Sequence, residues 1–209
     1  MGYDIQFKDL MIKFEKKTII EGYNLDIKKG EKVLISGKSG TGKSSLIKAL
    51  LGFVEYEAGE IVVQGSAIEG KDFREVRNQF AYVNQDVTIR KGNVKNYLLS
   101  IQSYKHNSLN FSGDYLLDNE LMEYFEFDPR YVYKNSEDLS GGERQRLGII
   151  LAIMLKRPIF LLDEITSGLD KELKKKTVDY FAQCEETVIA ISHDQIWEDH
   201  GAFRKVGWA

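Results

Sequence analysis

The segment GKSGTGKS places three glycines, two lysines, two serines and a threonine between an apolar strand pattern and an apolar helical pattern. Its spacing is that of G-x-x-x-x-G-K-[ST], a loop that wraps around phosphate groups. Glycines let backbone N–H groups approach phosphate oxygens without a Cβ atom in the way, and the N-terminus of the following helix attracts anions. We therefore predict that Lys43 contacts the β- and γ-phosphates of a nucleotide and that the Ser44 hydroxyl binds Mg²⁺. The predicted phosphate-binding residues are Gly37, Lys38, Ser39, Gly40, Thr41, Gly42, Lys43, Ser44 and Ser45.

Two alternatives compete with the phosphate loop. A glycine-rich turn without a ligand does not explain why lysine and serine follow the last glycine. A dinucleotide-binding loop is disfavoured, because Gly37, Gly40 and Gly42 do not follow the spacing G-x-G-x-x-G.

An acidic pair follows the apolar residues of PIFLLDE, which read as a buried strand. A phosphate loop of this type needs a carboxylate at the end of another strand to hold the water shell of magnesium, and Asp163 is the candidate. Glu164 comes just past the strand end, where it could polarise an attacking water. The alternative is an acidic pair that caps a helix.

The segment LSGGERQR opens a third candidate site. Ser140 and Glu143 have the S-x-x-E spacing of a capping box, in front of a helix whose apolar residues recur at helical spacing. A capped helix does not explain Gly141 and Gly142, because each glycine in a first helical turn costs about 0.5–1 kcal/mol relative to alanine. That cost is explained if an anion must approach the helix N-terminus closely.

The elements that position these motifs alternate between strands and helices, which predicts a mostly parallel α/β sheet. Residues 86–138 differ: they are polar and tyrosine-rich, and the amphipathic pattern at 115–127 predicts a helical insertion. The predicted strands are 3–14, 18–27, 32–36, 60–64, 80–85, 159–163 and 187–192, and the predicted helices are 43–51, 141–156 and 171–182.

Over nearly its whole length, the chain resembles the ATPase subunits of ATP-binding cassette (ABC) transporters. The motifs that carry the resemblance occur in the family's order: the P-loop, Gln85 after a strand, the signature LSGGE, the pair Asp163–Glu164, SGLD at 167–170, and His193. The resemblance implies a P-loop NTPase fold, with a RecA-like mostly parallel sheet, an antiparallel β subdomain and an α-helical insertion. It also implies one ABC ATPase domain over 1–209, with a nucleotide-binding core of 1–85 and 139–209 and a helical signature subdomain of 86–138.

In this family two cassettes dock head to tail, so the resemblance implies an ATP-dependent homodimer. Each ATP would lie between one copy's P-loop and the other copy's signature. Ser140, Gly141 and Gly142 of one copy would then contact the γ-phosphate of the nucleotide that is bound to Lys43 of the other copy. Asp170 would lie at the dimer interface and link the two nucleotide sites.

The resemblance assigns further roles around the γ-phosphate. Gln85 would contact Mg²⁺ or the lytic water and report occupancy to the helical insertion. His193, about 30 residues beyond Asp163, would hydrogen-bond the γ-phosphate and help to place Glu164. With Lys43, these residues make up the expected catalytic set, while Ser44, Gln85 and Asp163 make up the expected metal site.

The adenine is usually stacked on an aromatic residue upstream of the P-loop. Phe14 stands where the family mostly has tyrosine, and stacking needs only the ring. An ordinary strand aromatic is the alternative, with Tyr3 and Tyr23 as weaker candidates. A further departure is Ile165, where proline or alanine is commoner.

Composition limits the other classes of function. The 209 residues, 43% hydrophobic and 29% charged, fit a folded domain, and a net charge of −3 gives no electrostatic reason to bind nucleic acid. The lone Cys184 cannot form an internal disulfide, so we expect a reducing, cytoplasmic setting. The longest apolar run, Leu147–Leu155, is too short to span a bilayer.

We therefore expect a peripheral subunit on the cytoplasmic face of a membrane, paired with a separate integral membrane permease. Exposed aromatics such as Tyr97, Tyr104 and Tyr115 are expected to contribute to that contact, whereas Tyr124 and Phe125 are expected in the core. The alternatives left open are that the chain is a domain of a longer protein and that it is an ATP-gated clamp, which regulates a membrane complex without transport. A small-molecule kinase is disfavoured, because it has no use for LSGGE.

Overall fold

The computed structural model describes residues 2–15, 17–38, 40–68, 73–107 and 116–208. Ser39 and Tyr115, named above, lie outside these residues. The strands are β1 (Tyr3–Phe14), β2 (Lys17–Lys28), β3 (Lys32–Ser36), β4 (Ala58–Val63), β5 (Ser66–Ala67), β6 (Phe80–Val83), β7 (Ile159–Asp163), β8 (Thr187–Ile191) and β9 (Arg204–Gly207). The helices are α1 (Lys43–Leu50), α2 (Phe73–Arg77), α3 (Val94–Gln102), α4 (Asn119–Tyr124), α5 (Gly141–Met154), α6 (Lys171–Gln183) and α7 (Gln195–Glu198), with 3₁₀ helices at Pro129–Tyr133 and Ser136–Asp138.

The central sheet has five strands in the order β6-β7-β8-β3-β9, and every pair in it is parallel. The segments KVLI, IFLLD and TVIAI in its three middle strands are buried at every position. Unbroken burial of this kind is expected when elements cover both faces of a parallel sheet. The prediction of a mostly parallel α/β sheet is confirmed.

Parallel strands bring their carboxyl ends to one edge of the sheet, where ligands bind in open α/β folds. At this edge β3 ends before the phosphate loop, and β6 ends two residues before Gln85. Strand β7 ends at Asp163, and β8 ends two residues before His193. The fold therefore collects four separate sequence motifs at one edge.

A second, antiparallel sheet has the order β2-β1-β4-β5. One of its faces joins a hydrophobic core with helix α1 and with one face of the central sheet, through residues such as Ile5, Ile27 and Ile61. Its long β1–β2 hairpin turns between Phe14 and Lys17, which pair with each other.

The opposite face of the central sheet packs on a core built with helices α3 to α6. The buried residues of this core include Leu98, Met122, Leu147 and Phe181. Among the described residues, no helix has both the length and the apolar character needed to cross a bilayer.

Two of the aromatic predictions for this part of the chain are wrong. Phe125 is fully buried as expected, but Tyr124 is 39% exposed, and its hydroxyl donates to the carbonyl of Lys176. Tyr97 packs against the core, and burial raises its pKa, whereas Tyr104 is exposed as expected.

Candidate active site

The phosphate loop depends on glycine where it turns into α1. Gly42 precedes the helix at φ +104°, and a Cβ atom there would lie 2.2 Å from Cγ2 of Ile19. Gly40 also has a positive φ, of +76°, but its Cβ position is open. The left-handed region favours glycine, so the conformation of the loop explains both residues. The contact with Ile19 ties the loop to the antiparallel sheet.

Lys43 is the buried cation of the loop. Its side chain folds back so that Nζ donates to the carbonyl oxygens of Gly37, at 2.8 Å, and Lys38, at 2.7 Å. The residue is only 6% exposed. A buried ammonium group needs such partners, and here the loop backbone supplies them. The positive charge is thereby held at the centre of the loop, as a phosphate site requires.

Asp163 and Ser44 form an oxygen-rich pair beside the lysine. Burial raises the pKa of Asp163, as does nearby Glu164, while a hydrogen bond from the Ser44 hydroxyl opposes the shift. Mg²⁺ prefers oxygen ligands and is commonly held by one or two carboxylates together with substrate phosphates. The described residues contain no group of three or more His, Cys, Asp and Glu side chains suited to a metal. Ser44 and Asp163 supply oxygen atoms, so these two residues fit a magnesium ion that binds together with a nucleotide.

One cavity brings together eight of the predicted site residues. It has a volume of about 260 Å³. Lys43, Gln85 and the adjacent pair Asp163–Glu164 come from three separate segments of the chain yet share its wall. The full lining is Ile19, Gly40, Gly42, Lys43, Ser44, Ser45, Gln85, Asp163, Glu164 and Ile191.

Glu164 is held in an unusual backbone conformation next to His193. Its φ is +53°, a left-handed value that is uncommon for a residue with a side chain. Its amide donates to the carbonyl of Ile191 at 2.9 Å, and its Oε1 lies 2.8 Å from Nδ1 of His193. The hydroxyl of Ser192 donates to Oε2 at 3.4 Å. These contacts come from residues at and just after the end of β8, and they orient the carboxylate of Glu164. Strained backbone positions of this kind cluster at functional sites.

The signature segment begins α5 with both halves of the capping box. The amide of Glu143 donates to Oγ of Ser140 at 3.2 Å, and the amide of Ser140 donates to Oε2 of Glu143 at 2.6 Å. Burial raises the pKa of Glu143, but the hydrogen bonds from Ser140 and from Tyr131 outweigh it, so the pKa is lowered overall. The predicted capped helix is confirmed.

The two signature glycines have different surroundings. A Cβ atom on Gly142 would lie 3.2 Å from the carbonyl oxygen of Gly168, so a neighbouring loop accounts for the small residue there. A Cβ atom on Gly141 would meet nothing within 4 Å. The close approach at Gly142 is therefore within the chain, and only Gly141 still calls for an external ligand.

The signature lies beside the nucleotide cavity and outside it. Gly141 lines a second cavity of about 660 Å³, together with Gln85 and Gly168. Gln85 thus borders both cavities. Asp170 is exposed and caps α6, where its Oδ1 accepts from the amides of Glu172 and Leu173, both at 3.0 Å.

The aromatic candidates for adenine stacking differ in accessibility. Phe14 is 49% exposed at the tip of the β1–β2 hairpin, whereas Tyr3 lies at the opposite end of the same hairpin. The ring of Tyr23 packs on Phe7 and on Trp208, with centroid distances of 6.0 and 5.2 Å. Phe14 therefore offers the most accessible ring next to the strand that carries Ile19.

Trp208 contacts the phosphate loop and was not predicted. Its Nε1 donates to the carbonyl of Thr41 at 2.9 Å. The residue follows the short strand β9, which has no apolar alternation that would signal a strand. No sequence pattern connects it to a loop 167 positions away.

Comparison with known proteins gives consistent matches. The model of a family described as ABC transporter matches residues 20–167. An uncharacterised ABC transporter ATP-binding protein of Haemophilus influenzae is 31% identical over 91% of this chain and 33% of its own length. An ATP-dependent lipid A-core flippase of Neisseria meningitidis serogroup A is 34% identical over 82% of this chain and 28% of its own length. The chain thus spans about a third of the length of these curated relatives.

Solved structures support the fold. A bacterial Atm1-family ABC exporter with ATP bound superposes with a TM-score of 0.76 at 21% identity, covering 93% of this chain and 35% of the exporter chain. An ATP-binding cassette solved as a dimer, in a post-hydrolysis state with ADP and Pi, also gives a TM-score of 0.76, at 22% identity, covering 91% of this chain and 88% of that one. The predicted fold class is confirmed by these superpositions.

Proposed function

The chain belongs to the ABC transporter family, and from that premise we propose that it binds ATP with Mg²⁺, hydrolyses it, and powers a membrane transporter. The observation that carries the proposal is the cavity at the edge of the central sheet, where Lys43, Ser44, Asp163, Glu164 and Gln85 converge.

The roles of these side chains follow from their positions. Lys43 and the loop amides bind the phosphate groups, while Ser44 and Asp163 would hold Mg²⁺, with Gln85 beside them. The ion, when bound, neutralises charge on the phosphates. Phe14 provides the ring for the adenine.

The catalytic pair is Glu164 and His193. We propose that Glu164 accepts a proton from the attacking water, as a general base. His193 donates from Nδ1 to Oε1 of Glu164, because an ionised carboxylate can only accept a hydrogen bond. This bond fixes the direction in which Glu164 points.

A second copy of the chain would complete the site. Ser140 and Gly141 do not line the cavity that holds Lys43, so a γ-phosphate there would meet a signature only from another molecule. We propose a head-to-tail homodimer in which Asp170 lies near the dimer interface. A solved relative of the same fold is described as dimeric.

Transport requires a membrane-spanning partner, on a separate chain or in another part of a longer one. The curated relatives are about three times as long as their match to this chain, and one is named a lipid flippase. We propose that the helical segment 86–138 transmits the nucleotide state to that partner on the cytoplasmic side of the membrane, and that 1–85 and 139–209 form the nucleotide-binding core.

The test is ATP hydrolysis by Glu164→Gln beside the wild type. Wild-type protein is expected to release phosphate only with Mg²⁺, and the variant to lose turnover by a factor of about 10² or more, the contribution of a general base. The variant should still bind ATP and should elute as a dimer with MgATP. Glu21→Gln, at an exposed site on β2, is the matched control.

Each result has a distinct meaning. Turnover that persists in Glu164→Gln would remove this residue from the proposed base role. Wild-type protein that neither binds nor hydrolyses MgATP would contradict the whole proposal. Membrane-fraction pull-down of the dimeric variant then tests for the partner.

A further inference from the structure

Trp208 contacts the phosphate loop but does not line the cavity that contains Lys43. Its backbone amide donates to the carbonyl of Ser36 at 3.0 Å, which extends the pairing of β9 with β3. Its indole Nε1 donates to the carbonyl of Thr41 at 2.9 Å. One residue therefore bonds to the chain just before the loop and again within it.

The indole is held firmly enough to act as a support. Tyr23 packs on one side of it at a centroid distance of 5.2 Å, and Tyr23 itself packs on Phe7. On the loop side, a Cβ atom added to Gly37 would lie 2.8 Å from Cβ of Trp208. Glycine at position 37 is thus required by Trp208 as well as by a phosphate.

The bond to Thr41 has a consequence for the next amide. In a trans peptide, the carbonyl and the following N–H point in opposite directions. Holding the carbonyl of Thr41 towards Trp208 turns the N–H of Gly42 away from the indole. Gly42 lines the nucleotide cavity, and Trp208 is absent from the described residues that line it. The indole bond therefore favours the peptide orientation in which this N–H can face a phosphate.

We propose that Trp208 is a positioning residue for phosphate binding: its indole N–H preorganises the peptide between Thr41 and Gly42. The inference rests on the proposed nucleotide binding and deepens it. Without the bond, nucleotide binding must also restrict the rotation of this peptide, so affinity falls. The chemical step does not involve Trp208, so kcat at saturating ATP is unchanged.

The test compares Trp208→Phe with the wild type by calorimetric titration with MgADP. Phenylalanine keeps an aromatic ring at this position, and it removes the indole donor together with part of the bicyclic ring system. The expected result is a Kd raised about threefold to tenfold, which corresponds to the net value of one hydrogen bond. The KM for ATP should rise similarly, with kcat close to wild type.

Trp197→Phe is the matched control. It makes the same chemical change and also removes a hydrogen bond, from Nε1 of Trp197 to Oγ1 of Thr166 at 3.1 Å. Trp197 is buried in the other core and does not touch the loop. We expect this variant to melt at a lower temperature but to bind MgADP with wild-type affinity.

A second measurement uses the wild-type protein. In ¹H–¹⁵N spectra of the wild type, the indole signal of Trp208 should shift when MgADP is added, and the Trp197→Phe spectrum assigns it. A Trp208→Phe variant that binds as tightly as wild type, or an indole signal that does not respond, would overturn the positioning role while leaving the proposed function intact. Wild-type protein that does not bind MgADP would instead refute the proposed function.

Discussion

Nδ1 of His193 lies 2.8 Å from Oε1 of Glu164, although the two residues leave the sheet from different strands. The side chain of His193 is 70% exposed, whereas that of Glu164 is only 16% exposed. The histidine therefore reaches in from the surface to fix a carboxylate that is largely enclosed. The hydrogen bond to His193 restricts the rotation of this carboxylate.

This relationship predicts a specific defect for His193→Ala. Loss of the donor leaves Glu164 free to rotate, so we expect kcat for ATP hydrolysis to fall about 100-fold, within the range for positioned acid–base groups. Because the loop is untouched, the Kd for MgADP should stay within about twofold of wild type. Steady-state phosphate release and calorimetric titration measure the two quantities. His193→Gln can restore a donor and should recover part of kcat; an unchanged kcat in His193→Ala would contradict the assignment.

We expect Asp163→Asn to weaken magnesium binding and to raise the stability of the protein without ligands. Because burial raises the pKa of Asp163 in the folded protein, its stabilising contribution is full at low pH and is lost as the pH rises through the folded pKa. At neutral pH the buried charge opposes folding in the absence of a cation. The variant should therefore melt at a higher temperature than wild type without Mg²⁺ and nucleotide.

The same variant should bind Mg²⁺ about 10- to 100-fold more weakly in the presence of ATP. This is the range found when a residue that hydrogen-bonds the ligands of a metal is replaced. Thermal melts and magnesium titrations check the two halves of this prediction. Asp138→Asn, at an exposed residue, should change neither. A lower melting temperature for Asp163→Asn would show that the carboxylate stabilises the fold by itself.

Glu143→Ala should weaken the start of the signature helix. The variant loses the side-chain half of the capping box, which we expect to cost about 1 kcal/mol in the free energy of unfolding at pH 7. Because the pKa of Glu143 is lowered in the folded state, its contribution is present at neutral pH and is lost as the pH falls through the folded pKa. Urea denaturation at pH 7 and at progressively lower pH measures the difference, which should shrink in acid. A pH-independent difference would mean that packing, and not the ionised cap, is responsible.

Cys184 should be nearly inert towards thiol reagents in the folded protein. Burial raises its pKa to about 11, and its Sγ donates to the carbonyl of Phe181 at 3.3 Å. Since only the thiolate reacts, labelling at pH 8 should be about two orders of magnitude slower than in the unfolded chain. Iodoacetamide labelling with and without denaturant, followed by mass spectrometry, gives this ratio. Fast labelling of the native protein would contradict the buried environment.

Much of the fold was predictable because the central strands are unbroken apolar runs. KVLI, IFLLD and TVIAI are buried on both faces, and the predicted site residues follow such strands. Four elements escaped prediction for lack of such a signal. The helices Phe73–Arg77 and Gln195–Glu198 each have a single buried residue, the strand Ser66–Ala67 has two residues, and β9 is largely exposed.

The candidate site was predictable as a set of motifs but not in its supports. Chain order and spacing place Lys43, Asp163 and Glu164, since each follows a strand of the same sheet. The contacts of Ile19 with Gly42 and of Trp208 with Thr41 join distant segments. The packing of the two sheets brings Ile19 to the loop, and the pairing of β9 with β3 brings Trp208 to it. The roles assigned to individual residues and the division at residues 86–138 stay predictions.

The approach of Gly142 to the carbonyl of Gly168 leaves no side chain between the signature turn and the SGLD loop. Rotamer changes absorb displacement where side chains separate two segments, but here main chain meets main chain. Because no side chain lies between the two segments, a movement of one towards the other displaces the other directly. The junction would thus act as a stiff linkage between the signature turn, which we propose contacts a second copy, and the segment that follows Asp163 and Glu164.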